Sequence, residues 1–139
     1  MAAALMGPAC GNGDGNGGGP AGTATITVGG ESVPVSSLVD GFAGLCDASG
    51  SAARRDFPRA KVVFTDRAHT PLHTVARALE DVDRRAAARL LEAKQRVEAD
   101  LDGSGTNTPG LADDMAALVA ATRAGLDRLG IDTQECQQP

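Results

Sequence analysis

The chain reads as mainly α: an antiparallel four-helix bundle preceded by a short β-hairpin or extended arm. Three observations point there. Aromatics are only 2% of the 139 residues, with no Trp or Tyr, so Leu, Val and Ala must fill the core. Ala has the best helix propensity, and its small side chain lets helices pack closely. Beyond residue 35, apolar residues recur at helical spacing in four stretches separated by turn signals.

Each element has its own signal. Thr23-Ala-Thr-Ile-Thr-Val28 alternates, Gly29-Gly30 follows, and Glu31-Ser-Val-Pro-Val35 returns, the pattern of a hairpin with a two-residue turn. Pro34 confines the second strand to an edge or an extended arm. Ser36 or Ser37 is expected to cap a first helix running to about Ala48, with Leu38, Val39, Phe42, Leu45 and Cys46 on one face. Ser49-Gly50-Ser51 is expected to end it, and Gly41 and Gly44 to admit a close neighbour. A second helix starts near Asp56 or Pro58. Pro71 then either kinks it or sits at the first position of a new segment capped by Thr70. Leu72, Val75, Leu79, Val82 and Ala86 continue as an apolar stripe. The third stretch, Arg84 to Leu101, places Ala87, Leu90, Leu91, Lys94, Val97 and Leu101 on its buried side. Residues 102–110 form a loop by composition. A last helix follows, with Asp113 and Asp114 in its first turn, Arg128 in its last and Gly130 just beyond its end.

The domain plan is a truncated signal-like segment at 1–10, a Gly-rich tether at 11–22 and a helical domain at 23–139. Three cysteines stand in different settings. Cys10 ends a short apolar start with Ala9 before it and Gly11-Asn-Gly-Asp-Gly after it; Cys46 lies on a helical stripe; Cys136 lies in a polar tail. One reading accounts for all three: an exported chain, lipid-anchored through Cys10, with one disulfide between Cys46 and Cys136. The alternative is a buried free Cys46 and an exposed free Cys136. The cytosol would keep both thiols reduced, so bridge and export stand or fall together. The start is short for a signal peptide and carries no Lys or Arg, so the true start is expected upstream of Met1.

A net charge of −5 and the missing aromatic platforms argue against nucleic acid as a partner. The expected partners are a membrane, through the lipid anchor, and an envelope protein. No Gly-x-Ser-x-Gly, phosphate loop or dinucleotide fingerprint occurs, so the chain reads as a non-enzymatic binding module without a cofactor. One constellation points elsewhere. His69 and His73 are four residues apart, with Asp66 before them and Glu80 after. Two imidazoles at that spacing can share a Cu or Zn ion, with a carboxylate completing the set, which makes an extracytoplasmic metal binder the second functional expectation. Asp100-Leu-Asp-Gly-Ser104 opens like a calcium loop, but Leu111 stands where the closing Glu belongs.

The Cys10 segment, the Gly-rich tether, the two later Cys and the Ala/Arg/Asp-rich composition together resemble small, actinobacterial-type lipoproteins of high-GC bacteria with a helical-bundle domain. The resemblance covers the layout of the chain and implies a cell-envelope location; no catalytic motif comes with it.

Overall fold

The computed structural model describes residues 23–103 and 109–137. Cys10, the segment 1–10 and the tether 11–22 lie outside them. The described chain is mainly helical, with a two-stranded antiparallel hairpin first: β1 (Thr25–Val28) and β2 (Glu31–Pro34). Ile26 pairs with Val33 and Val28 with Glu31, around a turn in which Gly29 (φ 58°) and Gly30 (φ 85°) both adopt the left-handed conformation. Only Gly takes that pair of angles without strain, as the sequence predicts. Buried Val28 ties the hairpin to the helices.

Helix α1 (Val35–Ala53) begins two or three residues earlier and ends five residues later than the sequence pattern suggests. Its cap is Pro34, not a serine. The Val35 amide is already spent on the Ala24 carbonyl of the hairpin (2.8 Å), and Ser37 Oγ donates to the Pro34 carbonyl. At the other end, burial of Ala48, Ser51 and Ala52 carries the helix through Ser49-Gly50-Ser51, and Ser51 Oγ donates back to the Asp47 carbonyl. Core packing there outweighs the weak propensity of Ser and Gly.

The helix stops in a Schellman turn: the Asp56 amide reaches the Ser51 carbonyl and the Arg55 amide the Ala52 carbonyl, both at 2.9 Å. The left-handed residue of that turn is Arg55 (φ 62°), where glycine is the unstrained choice. Arg55→Gly is therefore expected to raise the unfolding free energy by about 1 kcal/mol, read as a higher midpoint in urea. A lower midpoint would mean that the arginine side chain holds the turn.

Asp56 then caps α2 (Phe57–Val63), its carboxylate accepting from the Arg59 amide, and the helix starts where the sequence predicts, near Asp56 or Pro58. The rod continues through a π-helical segment (Phe64–Ala68) into α3 (His69–Glu80). At Pro71 there is no Thr70 cap; Pro71 lies in the first turn of α3, and the helix widens just before it. Proline has no N–H for the Arg67 carbonyl and its ring crowds that turn, and a π-turn relieves both. Gly41 of α1 faces this ring, so the two helices approach closely where a side chain would not fit.

Asp83 caps α4 (Arg84–Asp102) by accepting from the Ala86 amide. Val82, expected on the apolar stripe, is 60% exposed, because it falls in the two-residue turn between α3 and Asp83. Helix α5 (Leu111–Arg128) ends in a second Schellman turn. Gly130 (φ 72°) is its left-handed residue, the Ile131 amide reaches the Leu126 carbonyl, and both apolar side chains are buried in one cluster.

Helix α1 packs on α2 and α5, α4 packs on α3 and α5, and the core divides into two clusters. One gathers Leu45, Phe64, Leu72, Met115 and Leu118; the other, nearer the hairpin, gathers Leu38, Phe42, Leu79, Leu90, Leu126 and Ile131. Among the described residues no helix is long and apolar enough to cross a membrane.

Candidate functional sites

Cys46 and Cys136 are joined. Their Cα atoms lie 5.2 Å apart across 90 residues of chain. Cys46 is presented by the middle of α1 and Cys136 by the irregular segment after Ile131. Apart from the bridge, that segment is held mainly by Arg123 of α5. Its guanidinium pairs with Glu135 (3.3 Å), reaches the Gln134 carbonyl (3.5 Å) and lies over the Phe42 ring (5.8 Å to the centroid). Glu135 is 91% exposed, so the ion pair is worth a few tenths of a kcal/mol. An open groove of about 710 Å³ runs beside the bridge, with Ser49, Gly50, Ala116, Ala120, Glu135 and Gln137 in its walls. Small residues on both helices make its floor shallow.

A second groove, of about 490 Å³, lies where α2 meets the end of α4. Phe57, Val62, Leu101 and Leu111 form its apolar lining, and Lys61, Asp66 and Asp100 its polar edge. Lys61 Nζ donates to the Leu101 carbonyl (3.1 Å), setting a cation at the C-terminal end of α4, where the helix dipole favours one. The calcium-like run that starts at Asp100 continues through residues 104–108, which lie outside the described residues. Burial, and then hydrogen bonding and charge from Asp114, push the Asp100 carboxyl above the usual 3.8.

The two histidines do come together, in an arrangement that the sequence only half reveals. Both stand on α3, their ring centroids 4.9 Å apart and their planes nearly perpendicular. Neither Asp66 nor Glu80 joins them: among the described residues no three His, Cys, Asp or Glu side chains surround a common point. Asp66 precedes the histidines within the π-turn, which shifts it off their face, and lines the groove by α2 instead. Glu80 is exposed at the far end of α3, seven residues past His73 or about 10 Å along the axis.

The carboxylate that meets the histidines is Glu98 of α4. His69 Nε2 lies 3.0 Å from Glu98 Oε1, and the Lys94 ammonium, one turn before Glu98, donates to the same oxygen. The Lys94 side chain is 3% exposed. The sequence places Lys94 on the buried side, and an acid four residues after a buried lysine is the signal that identifies Glu98.

Electrostatics follow from this packing. Burial raises Glu98, but the Lys94 hydrogen bond and charge, and then His69, outweigh it and hold the carboxyl below the usual 4.5. Burial first, then the Lys94 and His69 charges, hold His73 below the usual 6.5 against the pull of Glu98.

Both folded-state values lie below the unfolded ones, so both groups contribute stability at neutral pH that is lost on acidification. His73 acts from pH 6.5 downward and Glu98 from pH 4.5 downward. Asp83, lowered chiefly by the Ala86 amide, adds to the acid loss below its usual 3.8. Asp100, shifted upward, works in the opposite sense: its contribution is present below 3.8 and is lost as the pH rises through its folded value. The unfolding free energy from urea titrations is expected to fall between pH 6.5 and 4. His73→Ala should flatten the upper part of that fall and Glu98→Gln the lower part. Equal slopes in all three proteins would contradict the assignment.

Comparison with protein families, with curated proteins and with solved structures found no match to this chain.

Proposed function

We propose that this chain is an exported cell-envelope protein, lipid-anchored through Cys10, whose four helical rods form an antiparallel bundle acting as a non-enzymatic binding module. The Cys46–Cys136 bridge is the single observation that carries the reading. It ties down a C-terminal segment with little apolar surface of its own, and a bridge with that structural task persists in an oxidising compartment and not in the cytosol. The Gly-rich run after Cys10 supports the anchor: such a sequence makes a flexible spacer between an acyl group and a folded domain. The groove between α1 and α5, next to the bridge, offers a concave surface for an envelope protein partner.

The test is expression of the gene from its own locus in its own host. Processing that is blocked by globomycin, and loss of membrane fractionation in Cys10→Ala, are the expected results. Unchanged fractionation of Cys10→Ala would overturn the anchor.

A further inference from the structure

We propose that the groove where α2 meets the end of α4 binds a small cationic amphiphile. The ligand's apolar body sits on Phe57, Val62, Leu101 and Leu111, and its ammonium group faces the Asp66 carboxylate.

The shape and the lining suit such a ligand. A volume of about 490 Å³ is in the range of grooves that hold small molecules, and such sites combine apolar walls with a few polar groups. Val62 stands in the wall and is 58% exposed; among the described residues only Val82 is a comparably exposed large apolar side chain. Val82 falls in a tight turn, whereas Val62 shares its groove with three other large apolar side chains. One ligand there removes a contiguous apolar surface from water, which a scattered apolar residue does not offer.

The sign of the ligand's charge follows from what the neighbouring charges already do. The ammonium in the wall, Lys61, is answered within the protein: it donates to the Leu101 carbonyl (3.1 Å) and lies 3.9 Å from Asp102. The helix N-termini beside the groove are answered as well, α2 by its Asp56 cap and α5 by Asp113 and Asp114 in its first turn. Asp66 differs. It is exposed in the wall and makes no ion pair or hydrogen bond among the described residues. Asp100 adds a second carboxylate to the same wall, pushed upward by burial and by its neighbour Asp114. A cation entering the groove relieves that crowding of negative charge, and an anion adds to it.

The experiment is methyl NMR of the full chain with its disulfide intact, titrated with n-octylammonium chloride and, separately, with sodium octanoate. The two probes share an apolar chain and differ in the sign of the head group. Octylammonium is expected to shift the methyls of Val62, Leu101 and Leu111 saturably, and octanoate to bind more weakly. Asp66→Asn should weaken octylammonium binding by about threefold, as loss of an exposed ion pair does. Val62→Ser should weaken both probes by roughly fivefold through lost apolar contact. Both positions are exposed, so the variants are expected to fold, and their methyl spectra report it. Asp66→Lys should reverse the preference between the probes, which a merely apolar groove would not do. No saturable shift of these methyls with octylammonium would overturn the proposal. Equal affinity for the two probes, or an unchanged preference in Asp66→Lys, would also overturn it. Shifts of the same methyls on raising the protein concentration alone would assign the groove to a second copy of the chain and contradict the proposal. The titration uses no membrane and does not involve Cys10, so its failure leaves the envelope reading standing.

Discussion

Replacing Cys46 and Cys136 by serine is expected to lower the unfolding free energy by about 4 to 5 kcal/mol. The bridge closes a loop of 90 residues, and confining so long a loop removes a large share of the unfolded chain's freedom. The loss should be global in equilibrium unfolding but local in structure. Residues 132–137 have no secondary structure, and without the bridge they keep chiefly the Arg123 contacts and the packing next to Ile131. Hydrogen exchange in the double variant should therefore show the most protected amides of α3 and α4 losing protection only by the drop in global unfolding free energy, while the helices themselves remain formed. A variant with the wild-type urea midpoint would mean that the segment is held by its other contacts.

Gly41→Ala is the second large effect, and its sign is opposite to the usual rule. Within a helix the change normally gains about 0.5–1 kcal/mol. Here the new Cβ would stand 2.2 Å from Pro71 Cβ and 2.5 Å from Pro71 Cγ. A proline ring cannot rotate aside, so α1 and α3 must separate at the seam between the two core clusters. A net loss of about 2–3 kcal/mol is expected, in the range found for overpacked cores. Gly50→Ala is the control. Its new carbon meets only the flexible Arg54 side chain, at 3.4 Å, so the ordinary gain should appear. Thermal or urea unfolding of the two variants side by side reads the contrast; stabilisation of both would show that the seam has slack.

Legibility of these features in the sequence follows how local their causes are. The Gly29-Gly30 turn, the start of α2 near Asp56 and Pro58 and the Gly130 turn rest on interactions within a few residues, and each stands where the sequence puts it. The last turn of α1 was not legible, because burial of Ala48 and Ala52 against other helices overrides the breaker signal of Ser49-Gly50-Ser51. The π-segment was not legible either. Pro71 announces a conflict, but its resolution depends on Gly41 leaving room across the seam.

The histidine site divides the same way. The spacing of His69 and His73 brings the two rings together along one helix. Their acidic partner comes from α4, and helical spacing within one segment does not reach across to another. Asp66 and Glu80 were the nearest acids along the chain; Glu98 is the nearest one in space.

Peptide mapping by mass spectrometry, without reduction, of the protein isolated from the envelope of its own host tests the central claim most directly. The account predicts a cross-linked pair of peptides carrying Cys46 and Cys136, and an N-terminal fragment beginning at a lipid-modified Cys10. Cys46 and Cys136 recovered as thiols that alkylate without reductant, with Cys10 unmodified, would contradict it.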